Sequence, residues 1–300
     1  MNLEVRWQES TWTSCLHAAQ ILSEQRPPGV PDVVVETMQP VVDQLINVLK
    51  TAGVPLKPFW RHALPLSAQL TGKHELAGVI LRKTRGLEYE SGGTAEHLTA
   101  IFTDLSHAYH TAMPKAEEEL PLRRRPLREA WEARGPGLLY FLQRVLPEAF
   151  LPESADVILI LPFSGGRGTA HLDYNSVRVE AVLYDPYPQL PEVARLGWLF
   201  SQLNLDLPKY SENIARDRLP MVARLATLPG ILYAAEEVEL VRPGTVSLAE
   251  ALKLWQVTRE GHEALAEVVQ QWWQVQETRQ AAWPVALTAL DRMLGERNSG

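Results

Sequence analysis

Cysteine, signal segments and long hydrophobic runs are nearly absent from this chain. Cys15 is the only cysteine among its 300 residues, which excludes an internal disulfide framework. The longest apolar run, at 157–163, is too short to cross a bilayer. The first ten residues contain neither the basic nor the apolar segment of a signal peptide. We therefore expect a cytoplasmic protein that does not interact with membranes.

Basic charge is also scarce. The chain has 29 Lys and Arg residues against 36 Asp and Glu residues, which gives a net charge of −7. A general nucleic-acid binder needs a basic surface to displace counterions, so we predict no nucleic-acid partner. Apolar residues are plentiful instead, at 46% with nine tryptophans, and they are sufficient for a large core.

The order of predicted elements favours an α+β fold that is mostly helical and has a small mixed sheet. Extended segments are predicted at 3–7, 74–84, 155–163 and 177–185, whereas most other segments have helical periodicity. The C-terminal region from residue 217 is predicted to be almost entirely helical. This order lacks the regular βα alternation of a doubly wound fold.

A charged segment that contains several prolines, 114–126, is predicted to be a linker. Its acidic run at 117–119 and basic run at 123–125 are expected to neutralise each other in solvent. The linker would separate an N-terminal α/β region at 1–113 from a core with C-terminal helices at 127–300. One compact domain is the alternative.

Residues 190–204 are predicted to form an amphipathic helix directly after two predicted strands. One stripe is apolar and is expected to be buried: Val193, Leu196, Phe200 and Leu203. The opposite face is expected to be exposed, and it carries Glu192, Arg195, Trp198 and Gln202. This outer face offers no complete catalytic set.

The segment 155–205 resembles the core of the zincin metallopeptidases. It has a strand, a glycine-rich loop, a second strand and a helix that reads A-R-L-G-W-L, where many zincins read H-E-L-G-H-L. The resemblance implies that Ala194 and Trp198 stand at the two zinc-binding positions and Arg195 at the position of the glutamate that activates water. These residues cannot perform those roles at neutral pH. The resemblance therefore implies an inactive relative that has no metal or other cofactor.

The first functional hypothesis is a non-catalytic scaffold or binding protein with a protein or peptide partner. Its groove is predicted to be lined by five residues from the glycine-rich loop and the helix: Arg167, His171, Arg195, Trp198 and Gln202. The loop at 164–168 would form an anion-binding nest assisted by its arginine, or would simply connect two strands.

Two enzymatic alternatives remain open. Cys15 near a helix start and His171 downstream would form a nucleophile and its base in a hydrolase. Asp104, His107 and His110 lie on one side of a predicted helix and would contribute to a metal site. The simpler interpretations are a buried core thiol and histidines that interact with a helix C-terminus.

Overall fold

The computed structural model describes residues 3–24, 30–87, 92–163 and 165–297, and within them the chain forms twelve α-helices and four β-strands. In chain order, helices α1 to α12 span Thr11–Ser23, Asp32–Thr51, Leu56–Ser67, Lys73–Arg85, Gly92–Ala112, Ala116–Leu142, Glu192–Phe200, Pro208–Ser211, Leu219–Glu237, Leu248–Leu254, His262–Arg279 and Trp283–Arg297. Strands β1 to β4 span Glu4–Glu9, Ser154–Ile160, Gly168–His171 and Ser176–Glu180. The predicted α+β class, mostly helical with a small mixed sheet, is confirmed. None of these helices has the length and apolar character needed to cross a membrane.

The four strands form one sheet in the order β1-β2-β4-β3. Strands β1, β2 and β4 are parallel, and β3 runs antiparallel to β4 at the edge. In the register, Val157 lies between Trp7 and Val177. The regions predicted at 1–113 and 127–300 therefore share one sheet.

Helix α4 corrects a predicted strand at 74–84. Its buried residues follow helical spacing: Leu76, Ala77, Ile80 and Leu81. A short apolar run such as Val79-Ile80-Leu81 does not by itself distinguish a strand from a buried helix face. The helix ends with Arg82, Lys83 and Arg85 in its last turn, where positive charge interacts favourably with the helix dipole.

Helix α6 shows that the predicted linker at 114–126 is wrong, because most of that segment is helical. The helix continues through three prolines: Pro121, Pro126 and Pro136. Arginine–glutamate pairs four residues apart line its outer surface, and Arg124 forms an ion pair with Glu9 of β1 at 2.8 Å. Buried side chains such as Leu127 and Trp131 dock the helix, which offsets the donors that the prolines remove.

Helix α7 is buried on all sides, so the predicted exposed face at 190–204 is wrong. Helices α6 and α9 pack on one side of α7, and strands β3 and β4 pack on the other. The indole Nε1 of Trp198 donates a hydrogen bond to the carbonyl of Arg224 on α9, at 2.9 Å. Gly197 allows the close approach to α6, because a Cβ there would lie 2.7 Å from Leu138. The helix thus occupies a middle layer and has no solvent-facing side.

Candidate functional site

A cavity of about 840 Å³ opens beside strand β3, between helices α1, α3 and α4 and the start of α9. Its lining includes eight of the 29 basic residues of the chain but only three of the 36 acidic ones. The basic residues are Lys57, Arg61, Arg82, Lys83, Arg167, Arg178, Arg216 and Arg224, and the acidic ones are Glu24, Asp173 and Asp217. The cavity is therefore strongly cationic in a chain whose net charge is negative.

Arg167, Arg178 and Arg224 form the inner arginine cluster of this cavity. Arg178 lies on β4 and is 6% exposed, and both of its Nη atoms contact Oε1 of Gln20 at 3.3 Å. Within the described ranges, none of the three arginines forms an ion pair with a carboxylate. Burial lowers the pKa of Arg178 to about 10, and the charges of Arg167 and Arg224 act in the same direction, against that of Glu180. Burial and Arg167 also lower the pKa of Arg224.

The carboxylate of Glu180 has other partners. It accepts backbone hydrogen bonds from Phe163, Gly166 and Arg167 at 2.8–3.0 Å and is 2.9 Å from Nε2 of His17. Burial raises the pKa of Glu180, but these donors outweigh burial and bring its pKa to about 2. The pKa of His17 is lowered to about 4, mainly by burial, so at neutral pH it donates as a neutral ring. Glu180 therefore fixes the glycine-rich loop beside the arginines.

Two buried side chains in the cavity wall have polar atoms with no hydrogen-bond partner among the residues that the structure describes. His171 on β3 is 7% exposed, and its Nε2 is unpartnered, as is Nε1 of Trp255. Burial, followed by the charges of Arg178 and Arg224, lowers the pKa of His171 well below its ordinary value. His171 is therefore neutral at pH 7. Buried polar atoms without partners are uncommon and are costly in free energy, and here they lie next to unpaired arginines.

The outer part of the cavity contains a paired carboxylate. Asp173 accepts from Nε of Arg61 at 2.7 Å and from Nη2 of Arg216 at 3.1 Å. Burial raises the pKa of Asp173, but the hydrogen bonds and charges of the two arginines more than offset this and leave it below its ordinary value. The Nζ of Lys83 lies 5.4 Å from the centre of the Tyr174 ring. This outer part is polar and is neutralised locally around Asp173.

The five residues of the predicted groove lie in two places. Arg167 and His171 line the cavity. Arg195, Trp198 and Gln202 are buried behind its wall. Trp198 stacks on the cavity residue Trp255 with ring centroids 5.0 Å apart, and the guanidinium of Arg195 lies 5.9 Å from the Trp255 ring. The α7 residues therefore support one wall of the cavity from within the core.

The positions of the proposed zinc motif are also buried in α7. Ala194 and Arg195 are fully buried, and Trp198 nearly so. Nη2 of Arg195 lies 3.0 Å from Oε1 of Glu192, but the pair is not aligned as a hydrogen bond, and none of the three Arg195 nitrogens has a hydrogen-bond partner in the described part of the chain. Burial raises the pKa of Glu192 to about 7 and lowers that of Arg195. Glu192 and Arg195 are therefore two neighbouring ionisable groups in the protein interior.

Cys15 and His171 are not brought together as a nucleophile and a base. Cys15 is 1% exposed, and its Sγ donates to the carbonyl of Leu105 on α5 at 3.4 Å. Burial raises the pKa of the thiol, which opposes formation of a nucleophilic thiolate. In the described residues no hydrogen bond links Cys15 to His171. The thiol is a core group.

Asp104, His107 and His110 are exposed on helix α5. Among the described residues, no group of three or more His, Cys, Asp or Glu side chains is arranged to hold a metal ion. No described residue from another segment therefore adds a further ligand to the metal site predicted at Asp104, His107 and His110.

The residues that the sequence did not predict come from distant segments. Arg178, Arg224, Gln20 and Asp173 lie on four different elements and meet only in the folded chain. The available signal was the pattern V-R-V-E in β4, in which charged residues alternate with valines on a strand that is buried on both faces. No family model, curated protein or solved structure matches this chain. The zincin resemblance stays a prediction.

Proposed function

We propose that the protein binds a phosphate-bearing organic anion in the cavity. The observation that carries this proposal is the inner arginine cluster, Arg167, Arg178 and Arg224, in which three cations share a partly buried site and none is paired with a carboxylate of the described residues. Unpaired buried charges are unfavourable, and a bound anion would neutralise them. The proposal keeps the binding role predicted from the sequence and adds a chemical class of ligand.

Phosphate fits this cluster better than a single carboxylate does. Each guanidinium presents several N–H donors in a planar fork that matches phosphate oxygens. Three such forks, together with neutral His171, exceed what the two oxygens of a carboxylate can satisfy. The cavity volume of about 840 Å³ is in the range of small-molecule sites and is far larger than inorganic phosphate. An organic body attached to the phosphate accounts for the remaining space.

The acidic remainder of the chain favours a small ligand over a nucleic-acid strand. A strand would extend beyond the cavity and meet the negative surface of the protein, whereas nucleic-acid binders spread positive charge along their contact surface. A compact anion needs only the local excess of positive charge that the cavity provides.

Calorimetry with pyrophosphate as the probe tests the proposal, using Arg224→Gln and an Arg279→Gln control. Arg279 ends helix α11, is exposed and lies outside the cavity lining. Removal of one charge-assisted contact is expected to weaken binding about tenfold or more. The control is expected to bind as the unchanged protein does.

The melting temperature of the ligand-free protein gives a second readout. Arg224→Gln removes the repulsion between Arg224 and Arg167, so the free variant is expected to melt at a higher temperature although it binds less tightly. A purely structural Arg224 would give a lower melting temperature. Equal pyrophosphate affinity in folded Arg224→Gln and Arg279→Gln, or no binding by the unchanged protein, would contradict the proposed function.

A further inference from the structure

A second group of cations lies on the exposed part of the cavity lining. Lys57 on helix α3 and Arg82 and Lys83 on helix α4 are exposed residues of the cavity lining, and they are called here the mouth cluster. In the part of the chain that the structure describes, none of the three forms an ion pair with a carboxylate. The mouth cluster and the inner arginine cluster therefore both lack anionic partners.

The position of Lys57 argues against a purely structural role for the mouth cluster. Arg82 and Lys83 lie in the last turn of α4, where positive charge favours the helix by itself. Lys57 instead lies in the first turn of α3, where the helix dipole disfavours a cation. Three cations from two helices thus line one cavity. The positive charge of Lys57 does not stabilise its own helix.

The two clusters differ in depth and lie on different elements of the fold, the inner one beside β3, on β4 and on α9, and the mouth cluster on α3 and α4. In the inner part, Arg178 is 6% exposed, whereas all three residues of the mouth cluster are exposed. The charges of Arg178 and Arg224 act on His171, whereas His62 experiences mainly Asp173, Arg61 and Lys83 after burial. The two clusters are therefore separate sites of positive potential along one cavity.

Other residues of the cavity lining make parts of its wall locally neutral or apolar. Asp173 is paired with two arginines, and its neighbour Tyr174 places its hydroxyl 2.7 Å from Nδ1 of His62. The apolar residues Leu64, Leu172 and Pro220 belong to the same lining. An uncharged segment of a ligand is compatible with such a wall.

We infer that the ligand is elongated and carries two anionic groups separated by an uncharged body. One phosphate contacts the inner arginine cluster, and a second phosphate or carboxylate contacts the mouth cluster. This inference rests on the proposed function, because the inner contact is the same. It adds that compounds with a single anionic end use only part of the site.

Calorimetry with two matched probe series tests the inference. One series consists of α,ω-alkane bisphosphates with three to eight carbons, and the other of alkyl monophosphates of the same lengths. At the length that spans the two clusters, the bisphosphate is expected to bind about tenfold tighter than the monophosphate, which is the effect of two or three exposed charge contacts. Shorter and longer bisphosphates are expected to lose this advantage.

A triple variant, Lys57→Gln/Arg82→Gln/Lys83→Gln, locates the second contact. In this variant the bisphosphate is expected to bind only about twofold tighter than the monophosphate, because either of its two equivalent ends can enter the inner site. The affinity for the monophosphate is expected to change much less. A control triple variant, Arg242→Gln/Lys253→Gln/Arg279→Gln, removes the same charge from exposed positions outside the cavity. The control is expected to retain the advantage, which separates a local contact from long-range attraction.

The results distinguish failure of this inference from failure of the proposed function. If the bisphosphate advantage does not exceed about the twofold statistical factor at any length, or if the mouth variant retains the full advantage, the second anionic group is refuted while the inner site stands. If no member of either series binds, the proposed function fails, and this inference fails with it.

Discussion

Glu192 is predicted to make the stability of the protein fall as pH rises towards neutrality. Its carboxyl lies in the interior beside Arg195, and burial raises its pKa from 4.5 to about 7 despite the arginine charge. The folded chain therefore binds more protons than the unfolded chain between these two values. Because stability decreases with pH wherever the folded state binds more protons, this group favours folding below pH 4.5 and loses that contribution up to about pH 7.

The size of the effect follows from the pKa difference. A shift from 4.5 to about 7, at 1.36 kcal/mol per pKa unit, corresponds to about 3 kcal/mol of unfolding free energy. Three buried histidines oppose this trend: the pKa values of His17 and His62 are lowered to about 4, and that of His171 well below its ordinary value. Their contribution to stability rises with pH up to about 6.5. The unchanged protein therefore shows only the sum of the two trends.

Glu192→Gln isolates the carboxyl contribution, because the histidines are present in both proteins. Urea unfolding of both proteins from pH 4.5 to pH 8 gives a difference curve, and we expect it to change by about 3 kcal/mol over this range. The unfolding free energy of the variant is expected to rise more steeply with pH up to pH 6.5. An absolute loss at high pH is also expected, because the variant leaves Arg195 without its carboxylate, so the slope is the decisive quantity.

Glu267→Gln serves as the control, because Glu267 is exposed on helix α11. Its difference curve is expected to lack the change of about 3 kcal/mol that Glu192→Gln shows. A flat difference curve for Glu192→Gln would show that the Glu192 carboxyl ionises normally in the folded protein. The reasoning about its burial beside Arg195 would then be wrong.

Further predictions concern the loop anchor and two glycines. Glu180→Gln is expected to lose about 3 kcal/mol of unfolding free energy and to speed amide exchange at Phe163 and Gly166, because the amide cannot accept all four donors; unchanged exchange would contradict this role. Gly78→Ala is expected to raise stability by about 0.5–1 kcal/mol in thermal unfolding, because a Cβ there meets nothing within 4 Å and alanine favours the helix. Gly197→Ala is expected to destabilise by about 1–3 kcal/mol, because its Cβ would lie 2.7 Å from a Leu138 methyl; equal effects of the two substitutions would refute this packing.

The sequence predicted elements best where one periodicity dominated. The strands predicted at 3–7, 155–163 and 177–185 are confirmed by β1, β2 and β4, and β4 ends earlier than predicted, at Glu180. Segment 74–84 was assigned wrongly because a short run of branched and apolar residues satisfies both strand and helix patterns. Proline content misled the prediction at 114–126, because packing of α6 against its neighbours outweighs the lost hydrogen bonds.

The site could be predicted only in part. Arg167 and His171 lie in or beside the glycine-rich loop, and both line the cavity. The glycines make this loop recognisable in the sequence. Arg178, Arg224 and Asp173 reach the same cavity from separate segments of the chain. No local sequence pattern predicts that these segments lie side by side. The periodicity of a single sequence indicates towards which side of its own helix or strand a side chain points. It does not indicate which residues of other elements lie opposite that side chain.

The same limitation explains why one face of α7 was wrongly predicted to be exposed. In α7 and β4, polar residues alternate with apolar ones, and periodicity assigns the polar face to water. Both elements lie in the middle of the fold, so Arg195 and Arg178 are buried. Apolar residues of similar size at such positions are often as stabilising as buried ion pairs or more so. Among the described residues Arg178 forms no ion pair with a carboxylate, and it lines the cavity with Arg167 and Arg224, which is the observation behind the proposed anion site.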